Sequence, residues 1–140
     1  MENLALGPET RSVATRMEHV HLGVANLDRS VDWYRRAFDF RVRYDETGSY
    51  GHTVHAGTDS FYIAMTEHPG LLPSSSTPSA QIYHFGFTIE DMPAFVRRLE
   101  DAAIPIMERA DRKEGPAVYL RDPDGHEIEV VAYRKDYAYR

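Results

Sequence analysis

The sequence repeats its own pattern of apolar residues after 65 positions, and this repeat limits the folds that the chain can adopt. His19 and His84 stand at this spacing, and so do Asp59 and Asp124. Apolar residues are paired at the same spacing along both halves: Val20 with Phe85, Leu22 with Phe87, Val24 with Ile89, Leu27 with Met92, Val31 with Val96, Tyr34 with Leu99 and Ile63 with Ile128. An ungapped repeat of this length predicts two copies of one structural unit.

The periodicity inside each half predicts that this unit is a βαβββ module. Val20, Leu22 and Val24 alternate with polar residues as in a strand, so His19 and His21 share the opposite face. Helical stripes follow in both halves: Leu27, Val31, Tyr34 and Phe38 after a cap at Asn26 or Asp28, and Met92, Phe95, Val96, Leu99 and Ala103 after a cap at Asp91. The other predicted strands are 40–44, 53–56, 61–66, 82–89, 105–109, 117–120 and 127–131.

Two sheets of this size cannot bury both faces, so we expect helices against one face and a cavity on the other. The predicted fold is therefore α+β, with two tandem βαβββ modules forming an open, cavity-enclosing mixed sheet. Residues 67–79 contain three prolines and four serines, which is typical of a linker. The predicted organisation is an N-terminal extension (1–16), module 1 (17–66), the linker (67–80), module 2 (81–134) and a C-terminal tail (135–140).

Composition excludes several classes of function. Sixteen basic against 22 acidic residues give a net charge of −6, which argues against a nucleic-acid partner. No apolar stretch is long enough to span a membrane, and the first 16 residues do not resemble a signal peptide, so we expect a cytoplasmic protein. The absence of cysteine excludes disulfides, thiol nucleophiles and zinc-thiolate sites.

The polar faces of the predicted strands carry the candidate chemistry. When the apolar faces meet the helices, the opposite faces direct imidazoles and carboxylates toward the cavity. These residues are His19 and His21 in module 1, and His84, Glu127 and Glu129, together with Val131, in module 2. Two imidazoles and a carboxylate from separate strands suit a first-row divalent metal with positions left open for substrate and water.

Three stretches of the sequence resemble the vicinal oxygen chelate superfamily: HVHLGVANLDRSVDWYRRAFDF at 19–40, HFGFTIEDM at 84–92 and YLRDPDGHEIEVV at 119–131. The likeness extends from about Met17 to Tyr133. This superfamily includes glyoxalase I, fosfomycin-resistance proteins, methylmalonyl-CoA epimerase, extradiol dioxygenases and bleomycin-binding proteins. The resemblance implies the paired-module fold that the repeat also predicts.

The resemblance also implies a set of metal ligands, namely His19, His84 and Glu129, for a divalent metal that could be Zn, Ni, Mn or Fe. Glyoxalase I has a fourth ligand, a glutamate near the end of its first module, and the repeat places that position at Ala64. The ligand set of this chain is therefore similar to the three-ligand set of the fosfomycin-resistance enzymes, the epimerase and the extradiol dioxygenases. Because these ligands must be deprotonated, we expect metal loss below about pH 6.

Two residues are catalytic candidates. Glu129 is one, because the resemblance to glyoxalase I implies that a ligand carboxylate acts as the base. His21 is the other, because an imidazole on the same face as His19 can contact substrate or transfer a proton near neutral pH. A dioxygenase would also require an acid–base histidine and tyrosine near the metal, and the candidates for these are Tyr50, His52, His55 and Tyr119.

Three functions remain open at this point. The first is a small glyoxalase-like lyase, isomerase or transferase whose metal acts as a Lewis acid on a small oxygen-bearing substrate. The second is an Fe(II)-dependent ring-cleaving dioxygenase, which two histidines and one carboxylate permit. The third is a metal-free protein of the bleomycin-resistance type that binds a drug or metabolite. In each case we expect a small-molecule ligand and a homodimer, with the site lying within one chain or between chains.

Overall fold

The two halves of the chain form two four-stranded mixed sheets with the same strand order. The computed structural model describes residues 13–49, 51–73 and 80–137. Module 1 contains β1 (His19–Val24), α1 (Leu27–Phe38), β2 (Arg41–Gly48), β3 (Gly51–Gly57) and β4 (Tyr62–Glu67). Module 2 contains β5 (Phe85–Thr88), α2 (Met92–Asp101), β6 (Glu108–Arg112), β7 (Gly115–Arg121) and β8 (Glu127–Val131). Most of the predicted N-terminal extension, the centre of the linker, Tyr50 and the last three residues lie outside the described residues.

The strand orders β1-β4-β3-β2 and β5-β8-β7-β6 confirm the α+β fold and the repeat. In each sheet the first strand pairs parallel with the last, and the remaining pairs are antiparallel. The two sheets are separate. The predicted cavity is therefore bounded by two open sheets and not by one continuous sheet. Neither of the helices in the described residues is long and apolar enough to cross a membrane.

Three strands differ from the sequence prediction. The strand expected over 82–89 spans only Phe85–Thr88, and the strand expected over 105–109 is displaced to Glu108–Arg112. The strand expected over 40–44 continues to Gly48. The last two are edge strands whose residues are mostly exposed. The extension over 45–48 and the segment 108–112 are largely polar, so they carry no apolar alternation from which a strand could be predicted.

Capping residues fix the helix boundaries. The side chain of Asn26 accepts a hydrogen bond from the Arg29 N–H, which makes Asn26 the N-cap of α1. The side chain of Asp91 does the same for α2 through the Ala94 N–H. Helix α2 ends at Asp101, so Ala103, which the sequence placed in its apolar stripe, lies beyond the helix.

Both helices pack against the apolar faces of the sheets and build one shared core. The ring of Phe38 lies 5.0 Å from Phe87 and 5.6 Å from Phe95, measured between ring centroids. Phe40 also contacts Phe87, with centroids 5.5 Å apart. The two modules therefore bury their apolar faces together, and the polar faces of both sheets are left open.

Arginines on the two helices bind reciprocally to the end of the other helix. Arg36 donates to the Ala102 carbonyl at 2.8 Å, and Arg98 donates to the carbonyls of Arg35 and Arg36 at 3.0 and 2.9 Å. Both guanidinium groups therefore bind carbonyls at the C-terminal end of the other helix, where a positive charge complements the helix dipole.

Two buried aspartates of the Asp122–Gly125 turn join the modules. The Asp122 carboxylate accepts from the Tyr34 hydroxyl at 2.8 Å, and the Asp124 carboxylate accepts from the Ala25 N–H at 3.0 Å. Burial, and then the charge of Asp122, raise the pKa of Tyr34 well above its ordinary value, so its hydroxyl remains a donor. The sequence pattern gives no sign that these two carboxylates are buried.

His126 makes folding stability depend on pH through Asp122. Burial lowers the pKa of His126, but its hydrogen bond to Asp122 and the charges of both aspartates outweigh burial, so the net pKa is above 6.5. A raised folded-state pKa stabilises the protein fully below the unfolded pKa, and this contribution is lost as pH rises through the folded pKa. We expect the difference in unfolding free energy between wild type and His126→Gln to shrink as pH rises above 6.5, measured in urea titrations. A constant or growing difference would contradict this assignment.

Candidate metal centre

The open face of module 2 brings His84 and Glu129 together. His84 immediately precedes β5, and Glu129 lies on β8 opposite Gly86. The His84 Nε2 atom is 3.2 Å from the Glu129 Oε2 atom, and the His84 Nδ1 atom is 3.9 Å from the Glu127 Oε2 atom. The side chain of Glu129 is 18% exposed, so its charge is held largely out of water. Such a carboxylate is stabilised only when partners surround it.

Arg112 is a further partner of Glu129, and sequence reasoning missed it. The Arg112 Nη1 group donates to the Glu129 Oε1 atom at 2.6 Å, and its Nη2 group donates to the Tyr119 hydroxyl. The negative charge of Glu129 raises the pKa of Arg112 above its ordinary value. Tyr119 lies directly opposite Glu129 in the β7–β8 register. No spacing in the sequence predicts the contact between Arg112 and Glu129, because only the pairing of their strands brings the two residues together.

On module 1, His19 stands at the first position of β1 with its ring held from two sides. Its Nδ1 atom is 2.9 Å from a carboxylate oxygen of Glu18, and its ring stacks on Tyr62 with centroids 4.8 Å apart. Hydrogen bonds from His19 and Tyr62 lower the pKa of Glu18. The Nε2 atom of His19 makes no hydrogen bond with another described residue, so it remains as the nitrogen for an additional ligand.

The structure brings together two of the three predicted ligands within one chain, and His19 lies on the other sheet. Among the residues that the structure describes, no three His, Asp or Glu side chains are grouped so that they could hold one metal ion. Ala64 lies opposite His21 in module 1, as Glu129 lies opposite Gly86 in module 2. The counterpart of Glu129 in module 1 is therefore Ala64. This is the position at which the repeat predicted that the fourth ligand of glyoxalase I is missing.

His21 shares the open face with His19 and belongs to a hydrogen-bond chain. Its Nε2 atom is 2.7 Å from the Thr66 hydroxyl oxygen, which in turn is 2.7 Å from the Thr53 hydroxyl oxygen. A cavity of about 230 Å³ lies between β1 and β5, with His21 on one side and His84 and Glu127 on the other. His21 and His84 of one chain therefore line the same cavity.

A row of four rings crosses the open face of module 1, with one ring from each strand. His55 stacks between Tyr62 and Tyr44, with centroids 4.3 and 4.6 Å away, and Tyr62 stacks in turn on His19. Burial lowers the pKa of His55, and the positive charges of His19 and neighbouring residues lower it further. The sequence gave His55 only as one of several open candidates, and its register opposite Ala64 is what places it in the row.

Comparison with known proteins agrees with this architecture. A curated metallothiol transferase FosB from Shouchella clausii is 31% identical over 120 residues, which cover 81% of this chain and 77% of the relative. A glutathione transferase FosA from Serratia marcescens is 27% identical over 118 residues, which cover 81% of this chain and 78% of the relative.

Among solved structures, the glyoxylase/bleomycin resistance protein/dioxygenase domain from Frankia sp. EAN1pec has the same fold, with a TM-score of 0.75. It is 24% identical, and the match covers 86% of this chain and 98% of that chain. A family profile described as the Glyoxalase/Bleomycin resistance protein/Dioxygenase superfamily matches residues 16–130, which cover module 1 and nearly all of module 2. The chain therefore belongs to the glyoxalase/bleomycin resistance protein/dioxygenase superfamily.

Proposed function

We propose that the chain is a metal-dependent enzyme in which His19, His84 and Glu129 hold a divalent metal ion. The observation that supports this most strongly is the pair of His84 Nε2 and Glu129 Oε2 atoms, 3.2 Å apart on an open face. Two donors that share a first-row metal at bond lengths of about 2.1 Å lie about 3 Å from each other. The spacing and the chemistry of this pair therefore fit a metal such as Mn, Zn, Ni or Fe.

The third donor would come from His19 of a second copy of the chain. His19 and His84 lie on different sheets, and each belongs to an open, polar face. On the open face of module 1, the edge strand β2 also exposes Tyr44, a large aromatic residue for a solvent-facing strand. In a two-fold symmetric homodimer, module 1 of one chain would face module 2 of the other and complete two equivalent sites.

Bound in this way, the metal would act as a Lewis acid that binds two neighbouring oxygens of a small substrate and stabilises negative charge there. The Nε2 atom of His21 is directed to Thr66, so its Nδ1 atom is the one available to accept or donate a proton at the substrate. The metallothiol and glutathione transferase relatives favour group transfer over the other chemistries. Because this chain has no cysteine, the thiol would be a cosubstrate.

Metal content tests this proposal directly. We expect about one Mn, Zn, Ni or Fe ion per chain in protein purified without chelator, and none in His84→Ala, because that variant loses one of the two clustered donors. His52→Ala is the matched control, since His52 is an exposed histidine bonded to Asp45 at 2.6 Å. Elemental analysis and titration with each metal give the occupancy.

The identity of the metal separates the candidate functions. Iron that is lost in air would favour the ring-cleaving dioxygenase, and Mn, Zn or Ni would favour the transferase, lyase or isomerase. Wild-type protein that takes up no metal, even when metal is added, would overturn the proposal and leave a protein that only binds its ligand.

A further inference from the structure

The two oxygen atoms of the Glu129 carboxylate have different neighbours: Arg112 contacts one of them, and His84 lies beside the other. The Arg112 Nη1 group binds the Oε1 atom at 2.6 Å, and the His84 Nε2 atom lies 3.2 Å from the Oε2 atom. The two oxygens of this carboxylate therefore have different environments. Only the Oε2 atom faces the imidazole with which it would share a metal.

Arg112 is itself held firmly by its surroundings. Its Nη2 group donates to the Tyr119 hydroxyl, and its guanidinium lies over the Tyr119 ring, 5.7 Å from the centroid. Arg134 secures the backbone beneath it by donating to the carbonyls of Arg112 and Lys113 at 3.1 and 2.6 Å. The Arg134 N–H also donates to the Glu114 carbonyl at 2.8 Å. A side chain anchored at both its head group and its backbone keeps its direction at little entropic cost.

We propose that Arg112 is a positioning residue that reserves the Oε1 atom of Glu129, so that only the Oε2 atom can bind the metal. This inference rests on the proposed function, because it assigns Glu129 as a ligand. A carboxylate that binds through one oxygen occupies one coordination position, whereas a carboxylate that binds through both occupies two. Arg112 thereby keeps one more position open, which a substrate that binds through two oxygens can use.

This role predicts a definite sign for the effect of removing the charge. If Arg112 acted only as a nearby positive charge, it would repel a metal ion, and its removal would strengthen metal binding. If it orients Glu129, its removal should weaken binding, because partners that orient metal ligands typically contribute about 10- to 100-fold in affinity. The two explanations therefore predict opposite changes in the same measurement.

Binding of Mn²⁺ alone to the purified wild-type protein and its variants tests the inference. We expect Arg112→Gln to raise the Mn²⁺ dissociation constant at least about tenfold, measured by the electron paramagnetic resonance signal of free Mn²⁺. We also expect bound Mn²⁺ to relax water protons less in Arg112→Gln, because Glu129 then takes a position that water occupies in the wild type. Arg112→Lys, which keeps one charged donor, should fall between the two proteins.

The matched control is Arg109→Gln, because Arg109 lies on the same strand and its side chain is on the opposite face by strand alternation. It should match the wild type in both measurements. Tyr119→Phe keeps the charge pair and removes one anchor of Arg112, so it should weaken Mn²⁺ binding by a smaller factor. This variant also tests the inference if Arg112→Gln does not fold.

The outcomes separate this inference from the function on which it rests. Unchanged or tighter Mn²⁺ binding in Arg112→Gln, with a wild-type protein that binds Mn²⁺, would overturn the positioning role alone. A wild-type protein that binds none of Mn²⁺, Zn²⁺, Ni²⁺ and Fe²⁺ would overturn the proposed function and this inference with it.

Discussion

A mixture of His19→Ala and His84→Ala chains is expected to recover metal binding that neither variant has alone. Each variant dimer lacks one imidazole in both of its sites. In a mixed dimer, His19 of one chain meets His84 and Glu129 of the other, so one of the two sites is complete and the second lacks both imidazoles. Because random mixing makes about half of the dimers mixed, about a quarter of all sites should be restored.

The measurement is metal content after the two variants are unfolded together, refolded and separated from free metal. The matched control is a mixture of His84→Ala with Glu129→Ala, since both changes lie in module 2 and no mixed dimer then has a complete site. A site that lies within one chain would give no recovery in either mixture. That result would contradict the assembly between two chains.

Asp122→Ala is expected to destabilise the fold by about 3 to 5 kcal/mol, because it removes the centre of a buried charged network. The side chain of Asp122 has no exposed surface, and it accepts from the Tyr34 hydroxyl and the His126 ring, both at 2.8 Å. It also accepts from the backbone N–H groups of Asp124 and His126 at 3.0 and 2.9 Å. Alanine would leave these buried donors without partners.

Urea unfolding at neutral pH measures this loss. Tyr34→Phe removes one bond of the network and should cost about 1 kcal/mol, while Asp111→Ala, an exposed aspartate whose ion-pair contact to Arg134 is 3.4 Å, is the matched control and should cost less. An Asp122→Ala protein that is as stable as the control would show that the network does not join the modules energetically.

Elements that bury an apolar face could be predicted from the sequence. Strand β1 and the Asp91 cap follow from alternation, helical spacing and side chains that accept hydrogen bonds from the first turn, and Asn26 was one of the two caps predicted for α1. Ile82 and Tyr83 misled the prediction of β5, because they continue the apolar pattern although they are 74% and 61% exposed. Sequence pattern cannot distinguish an apolar residue that packs from one that faces solvent.

The candidate site was predictable only to the extent that its residues lie on the strands and carry donor atoms. His84 and Glu129 are separated by 45 positions, and the repeat together with strand parity places them on one open face. The contact between Arg112 and Glu129 depends on which residues of β6, β7 and β8 stand beside each other. Register of this kind is set by turns and bulges, and single sequences do not reveal it.

The alanine at position 64 means that the two copies of the repeat are no longer interchangeable. In the proposed assembly, module 2 of one chain would supply His84 and Glu129, and module 1 of the other would supply the third donor, His19, together with the row of four rings. The rings that would contact the substrate and the two clustered donors therefore lie on different sheets. In that assembly, substitutions at Tyr44 or His55 would change the rings that face the substrate and would leave His84 and Glu129 in place, so substrate preference would change without loss of the two clustered donors.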